Sequence, residues 1–300
     1  MSKRMLFVFN PLSGKGNIKN KLLGIINIFV KNGWEVTVRP TQSAGDAFGF
    51  VRDNAQNFEL LVLSGGDGTL NEGIRGLMSL EKENRPHLGY IPAGTTNDFA
   101  ANMKISKNMN RAALDIMSGE TFACDIGSFN NKNFVYVAAF GAFTDVAYDT
   151  PQQNKNMFGH LAYVMEGAKK LSNIKAYQLK MICGDETLTG EFIYGMVSNT
   201  NYLGGMKAEK AFRAELNDGL FEIILVKKPK NILETQNLLT CLVTQELNPE
   251  YFTVIRGSEV TFISDEAIPW TLDGEFGGAV KEAIISNEQQ AVTLVIPQKK

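Results

Sequence analysis

The chain has only three cysteines and two histidines in 300 residues. Cys124, Cys183 and Cys241 stand far apart, with neither metal-ligand spacing nor the pattern of a disulfide framework. That excludes a cysteine-based zinc site and a disulfide scaffold, and it fits a reducing cytoplasm. His87 and His160 cannot build a multi-histidine metal site alone, and neither is assigned a chemical role. Excess charge of one sign is also lacking. Thirty basic residues face 32 acidic ones, for a net charge of −2. No global basic field therefore points to a nucleic acid partner. No apolar run reaches the ~18 residues of a membrane-spanning helix. The run after Met1-Ser2-Lys3-Arg4 stops at Asn10-Pro11, so it is expected to be a first strand and not a signal peptide. There is no internal repeat, low-complexity tract or long linker.

An apolar fraction of 44% and a charged fraction of 21% are those of a soluble globular protein, with length enough for two domains. The most informative stretch is Ser64-Gly65-Gly66-Asp67-Gly68-Thr69, between a strand-like apolar run and a helix-like one. Glycines there expose backbone N–H groups, and a helix N-terminus adds a favourable dipole for phosphate. Asp67 would repel a bare phosphate, which suggests Mg2+ and a nucleotide. A tight turn with Asp67 as a helix N-cap is the plainer alternative.

The first part of the chain alternates strand and helix. Strands are expected at Met5–Phe9, Trp34–Arg39, Leu60–Leu63 and Leu88–Ile91. Helices are expected at Asn17–Lys31, Ala44–Asn54, from about Leu70, and at Asn108–Ser118 with Gly119 as C-cap. In Asn17–Lys31, Leu22, Leu23, Ile26 and Val30 make the expected buried face. Repeated βα units imply a doubly wound, mostly parallel sheet with ligands at the carboxyl ends of its strands. After about Cys124 the pattern changes to successive strands. These are Phe122–Phe129, Phe134–Phe140, Tyr177–Cys183, Glu191–Ser198, Gly219–Lys227, Tyr251–Arg256, Ser258–Ile263 and Ala291–Ile296. Helices are expected at Asn156–Leu171 and Lys230–Leu242. The expectation is an α/β domain over 1–124 and a mostly antiparallel, β-sandwich-like domain over 125–300, with a cleft between them. C-terminal residues could pack back on the first domain.

Three polar loops follow strands of the first part: Asn10-Pro11-Leu12-Ser13-Gly14-Lys15-Gly16, Gly65–Thr69, and Gly94-Thr95-Thr96-Asn97-Asp98-Phe99. Lys15 is a point charge suited to phosphate, although the Walker A spacing is absent. Each loop alone reads equally as a solvated turn or a helix cap. In a parallel sheet all three share one edge, which favours a single nucleotide site.

These motifs carry a resemblance. Asn-Pro-x-Ser-Gly-Lys-Gly, Ser-Gly-Gly-Asp-Gly-Thr-Leu-Asn-Glu and Pro-Ala-Gly-Thr-Thr-Asn-Asp-Phe-Ala are similar to the diacylglycerol kinase catalytic-domain family, its bacterial soluble lipid kinases above all. Asp125-Ile126-Gly127, Phe140-Gly141-Ala142-Phe143, Leu216-Asn217-Asp218-Gly219 and Leu272-Asp273-Gly274-Glu275 continue it in order over nearly the whole chain. The resemblance implies an ATP- and Mg2+-dependent lipid kinase acting on diacylglycerol. It implies ATP contacts from Asn10, Ser13, Lys15, Gly65, Gly66, Asp67, Gly68, Thr69, Asn71, Glu72, Gly94, Thr95, Thr96 and Asn97. It further implies a catalytic Mg2+ network of Asp67, Asp98 and Asp125, and Asp273 as general base with Glu275 beside it. A structural metal at Glu215, Asp218 and the Leu220 carbonyl is implied as well. Without the resemblance, Asp273-Gly274 reads as a hairpin turn. Ala101 and Ser106 stand where the family often has Arg and Pro.

A lipid acceptor implies peripheral contact at the inner face of the membrane, and a homodimer is a further expectation. Phe140, Phe143, Phe158, Tyr163 and the Leu161–Leu171 helix could line an acyl channel, and Lys169-Lys170 could touch anionic headgroups; ordinary core and a solvated helix face are the alternatives. Rival readings are a kinase for another acceptor (a polyprenol, phosphatidylglycerol, a sphingoid base or a polyol), a non-catalytic nucleotide- or lipid-binding protein, and, more weakly, an NAD kinase.

Overall fold

The computed structural model describes residues 3–142, 175–199, 202–203, 206–207, 215–244 and 247–298. Phe143, Phe158, Tyr163, His160, Lys169, Lys170 and the helix expected at 156–171 lie outside the described residues. The chain divides into two compact units, Met1–Asp125 with Gln289–Lys300, and Ile126–Glu288.

The first unit is a parallel sheet with helices. Its strands are β1 (Lys3–Phe9), β2 (Trp34–Pro40), β3 (Leu60–Gly65) and β4 (His87–Pro92), and its helices are α1 (Ile18–Lys31), α2 (Asp46–Asn54), α3 (Asp67–Met78), α4 (Asp98–Asn102) and α5 (Met109–Ser118). The order is β2-β1-β3-β4, every pair parallel. Every residue of β3 is buried, as in a central strand covered on both faces. Helix α5 begins where the Asn108 side chain accepts the Arg111 N–H at 3.1 Å. It ends at Gly119, whose backbone is extended and not left-handed. Glycine is required there by crowding: a Cβ would lie 2.2 Å from the Ile296 carbonyl oxygen.

Helix α1 corrects the expected face. Leu23 and Val30 are exposed, while Ile18, Ile25 and Phe29 are buried. The helix is apolar on several sides, so periodicity alone left its orientation open. Packing against α5 and the sheet decides it.

The second unit is antiparallel. Its strands are β5 (Glu120–Phe129, which enters it from the first unit), β6 (Lys132–Phe134), β7 (Val137–Gly141), β8 (Tyr177–Cys183), β9 (Glu186–Ser198), the short pair β10 (Tyr202–Leu203) and β11 (Met206–Lys207), then β12 (Phe221–Lys227), β13 (Phe252–Gly257), β14 (Glu259–Leu272) and β15 (Glu275–Ile296). Helix α6 (Ile232–Thr244) precedes β13. Cys183 pairs with Glu186 across a turn at Gly184-Asp185. Strand β9 pairs with β8 along its first half and with β7 and β12 along its second. The core is aromatic: Trp270 lies 4.8 Å from Phe140, 5.2 Å from Phe129 and 5.3 Å from Phe262, ring centre to ring centre. Phe140 is wholly buried in this cluster and is ordinary core.

Strands β14 and β15 run much further than their apolar patterns suggest. Strand β14 pairs with β8 over Thr261–Ser264 and with β7 over Trp270–Leu272. Asp265, Glu266 and Pro269 fall between those two partners, where polar side chains and a missing N–H are tolerated. Strand β15 begins in the second unit and finishes in the first, where Leu294 pairs in parallel with Leu88 of β4.

Candidate active site

Because β1, β3 and β4 are parallel, the loops that follow them open on one edge of the sheet. The structure brings all three into contact. The Asn10 N–H donates to the Ser64 carbonyl at 2.8 Å, and the Asn10 side-chain amide lies 3.5 Å from the Thr69 hydroxyl. The Gly66 N–H donates to the Ser13 hydroxyl at 3.2 Å. The Gly65 carbonyl accepts from Ala93 N–H at 2.8 Å, Gly94 N–H at 3.2 Å and the Tyr90 hydroxyl at 2.9 Å.

The second and third loops meet glycine against glycine. A Cβ on Gly94 would lie 2.5 Å from the Gly66 Cα, so nothing larger fits without moving a backbone. A Cβ on Gly14, itself left-handed at φ +58°, would lie 2.5 Å from the Ala93 carbonyl oxygen. Asn97, also left-handed at φ 56°, closes the third loop on itself: its side chain accepts the Gly94 N–H at 2.9 Å and donates to the Gly94 carbonyl at 2.7 Å.

Helix α3 starts in the middle of this cluster. Its N-cap is Gly66, with no side-chain cap. The first N–H groups of a helix have no intrahelical partner, so they face outward beside the dipole's positive end. Lys15, Gly68, Thr95 and Thr96 are exposed around it.

Asp67 begins α3, and its carboxylate faces the start of α4, with the N–H groups of Asp98 and Phe99 at 3.3 and 3.4 Å. Burial first, and then the charge of Asp67, push the Asp98 carboxyl up to about 6, against the opposing pull of Lys107. Carboxylate oxygens are hard donors of the kind a divalent cation takes. Among the described residues no cluster of three or more acidic, His or Cys side chains could hold a metal. Asp125 is fully buried, and its carboxylate accepts the Gln290 N–H at 2.7 Å.

Glu72 binds elsewhere than the glycine cluster. Its two oxygens accept the N–H groups of Gly45 at 2.9 Å and Ala47 at 3.2 Å, capping α2 from α3. Asn71 stands beside it, half-buried on α3. Tyr90 was not among the residues picked out from sequence. A tyrosine inside a strand buried on both sides must find a partner for its hydroxyl, and that signal was available.

In the second unit, Asp273 and Gly274 form the β14–β15 hairpin turn, both left-handed at φ 50° and 85°. The Asp273 carboxylate accepts three successive backbone N–H groups, from Val135 at 2.7 Å, Tyr136 at 2.8 Å and Val137 at 3.1 Å. Glu275 follows the turn and is exposed.

Two family models cover most of the chain. Residues 4–129 match the diacylglycerol kinase catalytic domain, and residues 138–296 match the YegS C-terminal NAD kinase beta sandwich-like domain. The chain is 33% identical over 301 residues to a diacylglycerol kinase of Bacillus subtilis (strain 168), covering 99% of this chain and 98% of that protein. It belongs to the diacylglycerol kinase catalytic-domain family. A Staphylococcus aureus (strain MRSA252) member is 33% identical over 96% of this chain and 91% of its own length. The fold also matches a crystal structure of a diacylglycerol kinase from Bacillus anthracis str. Sterne, at a TM-score of 0.76 and 22% identity, over 98% of this chain and 97% of that one. The family is one of lipid kinases, and the chain is an enzyme of that class. No helix among the described residues is long and apolar enough to cross a membrane.

Proposed function

We propose that the chain transfers the γ-phosphoryl group of ATP, with Mg2+, to the hydroxyl of diacylglycerol, giving phosphatidic acid. The observation that carries this reading is the contact of Gly66 with Gly94 beside the Asp67–Asp98 pair. Phosphates can approach the glycine backbones and the start of α3, with Asn10, Ser13, Thr69 and Lys15 around them. Asn71, Thr95, Thr96 and Asn97 complete the nucleotide-binding set. Asp67 and Asp98 would hold Mg2+, which when bound neutralises phosphate charge. Asp125 is not placed in this set: its carboxylate accepts the Gln290 N–H, and the neighbouring Gln289 and Ala291 carbonyls accept from Lys82 and Arg85.

Asp273 is the proposed base on the acceptor hydroxyl. Phosphoryl transfer needs little covalent help, so placing the hydroxyl in line matters more than strong basicity. Three N–H groups fix the Asp273 carboxylate in place. Glu275 stands two residues on. An acceptor embedded in a bilayer calls for peripheral contact with a membrane surface.

The test is transfer of label from γ-labelled ATP to diacylglycerol in mixed micelles with Mg2+, comparing wild type with Asp273→Asn and checking that the variant is folded. Labelled phosphatidic acid from wild type only is the expected result. ATP binding with no labelled lipid would move the reading to another acceptor, and equal activity in a folded Asp273→Asn variant would remove the base.

A further inference from the structure

The structural cation implied at Glu215, Asp218 and the Leu220 carbonyl does not fit the side chains found there. Asp218 has both oxygens engaged: Oδ1 accepts the Leu220 N–H at 2.9 Å, and Oδ2 meets Arg256 Nη2 at 2.6 Å. The same guanidinium turns its Nε to Glu222 Oε1 at 3.1 Å. Glu222 lies on β12 and is only 1% exposed. Arg256 lies directly opposite it on β13, so sheet register itself brings the pair together. Glu215 is exposed.

We propose that Arg256 is the cation of this loop, and that residues 215–222 hold their fold without a bound metal. Arginine suits the task because its charge is permanent and its planar fork can serve two carboxylates at once. A metal ion bridging Asp218 would have to displace the guanidinium or sit against its positive charge. Glu222 Oε2 has no hydrogen-bond partner, but it is buried. Mg2+ demands near-octahedral geometry and keeps several waters, which so enclosed a single oxygen does not offer. Burial pushes the Glu222 carboxyl up, and the nearby guanidinium is the largest force opposing it.

Hydrogen exchange of the peptide spanning 215–225, followed by mass spectrometry without nucleotide, tests this. Wild type should exchange at the same rate in EDTA and in millimolar Mg2+. Arg256→Gln should exchange about tenfold faster in EDTA, as expected for loss of a charge-assisted hydrogen bond. Arg256→Lys, which keeps the charge but not the fork, should fall between them. Mg2+-dependent protection in wild type would overturn the proposal, as would an Arg256→Gln variant that exchanges like wild type in EDTA. Should Arg256→Gln fail to fold, the wild-type comparison and Arg256→Lys still decide the matter.

Discussion

Asp273 Oδ1 accepts the Tyr136 N–H at 2.8 Å, joining a hairpin tip to a residue 137 positions earlier in the chain. With the Val135 and Val137 N–H groups added, one carboxylate organises the connection between β6 and β7. Replacing Asp273 therefore changes structure as well as chemistry. An Asn side chain has one acceptor oxygen, and its NH2 would face an N–H. We expect Asp273→Asn to abolish transfer and to cost about 1–3 kcal/mol of stability, the penalty of a buried group left unsatisfied. Urea unfolding run beside the transfer assay separates the two. Lost activity at unchanged stability would contradict the clamp.

Asp98 should make the metal-free protein sensitive to pH. Its folded pKa of about 6 lies above the ordinary 3.8, because of burial and then the Asp67 charge. The folded state thus holds that proton more tightly than the unfolded chain. The associated stability is fully present below about pH 4 and is lost as pH rises through 6. Asp98→Asn cannot lose it. In chelator, the variant should melt above wild type at pH 8 and lose that advantage at pH 4. A constant difference between the two would reject this origin.

The two glycines Gly94 and Gly49 should respond oppositely to alanine. At Gly94 the new Cβ meets the Gly66 Cα at 2.5 Å, while at Gly49, inside α2, it meets nothing within 4 Å. Gly94→Ala should cost about 1–3 kcal/mol and weaken ATP binding by separating the two loops. Gly49→Ala should stabilise by about 0.5–1 kcal/mol and leave ATP affinity alone. Differential scanning calorimetry and nucleotide titration check both.

Glu72→Ala should act through α2. Removing the acceptor for the Gly45 and Ala47 N–H groups should cost about 0.5–2 kcal/mol, as loss of a helix cap does. Exchange at the amides of residues 45–49 should rise. If those amides stay protected while ATP affinity collapses, Glu72 contacts nucleotide directly.

Much of the first unit was legible because each βα repeat carries its own signal. An apolar run four or five residues long followed by a glycine-bearing loop marks β1, β3 and β4, and these are local properties. The buried face of α1 was not legible: its apolar residues surround the helix, and only the neighbouring α5 and sheet bury Ile25 and Phe29 while leaving Leu23 exposed. Strand β14 runs past its apolar pattern for a related reason. Asp265, Glu266 and Pro269 look like a strand's end until the change of partner from β8 to β7 explains them.

The sequence by itself determined the alternation of strand and helix in the first unit, the family and the three glycine-bearing loops, because a steric requirement for glycine or a phosphate-binding turn is written in adjacent residues. Only the tertiary structure decided what the carboxylates touch. Asp273 meets the N–H groups of residues 135–137, Asp125 meets Gln290, Glu72 meets the start of α2, and Glu222 meets Arg256. A carboxylate's partner is set by what the fold carries to within about 3 Å of it, and residues that distant in sequence leave no periodic trace of their meeting.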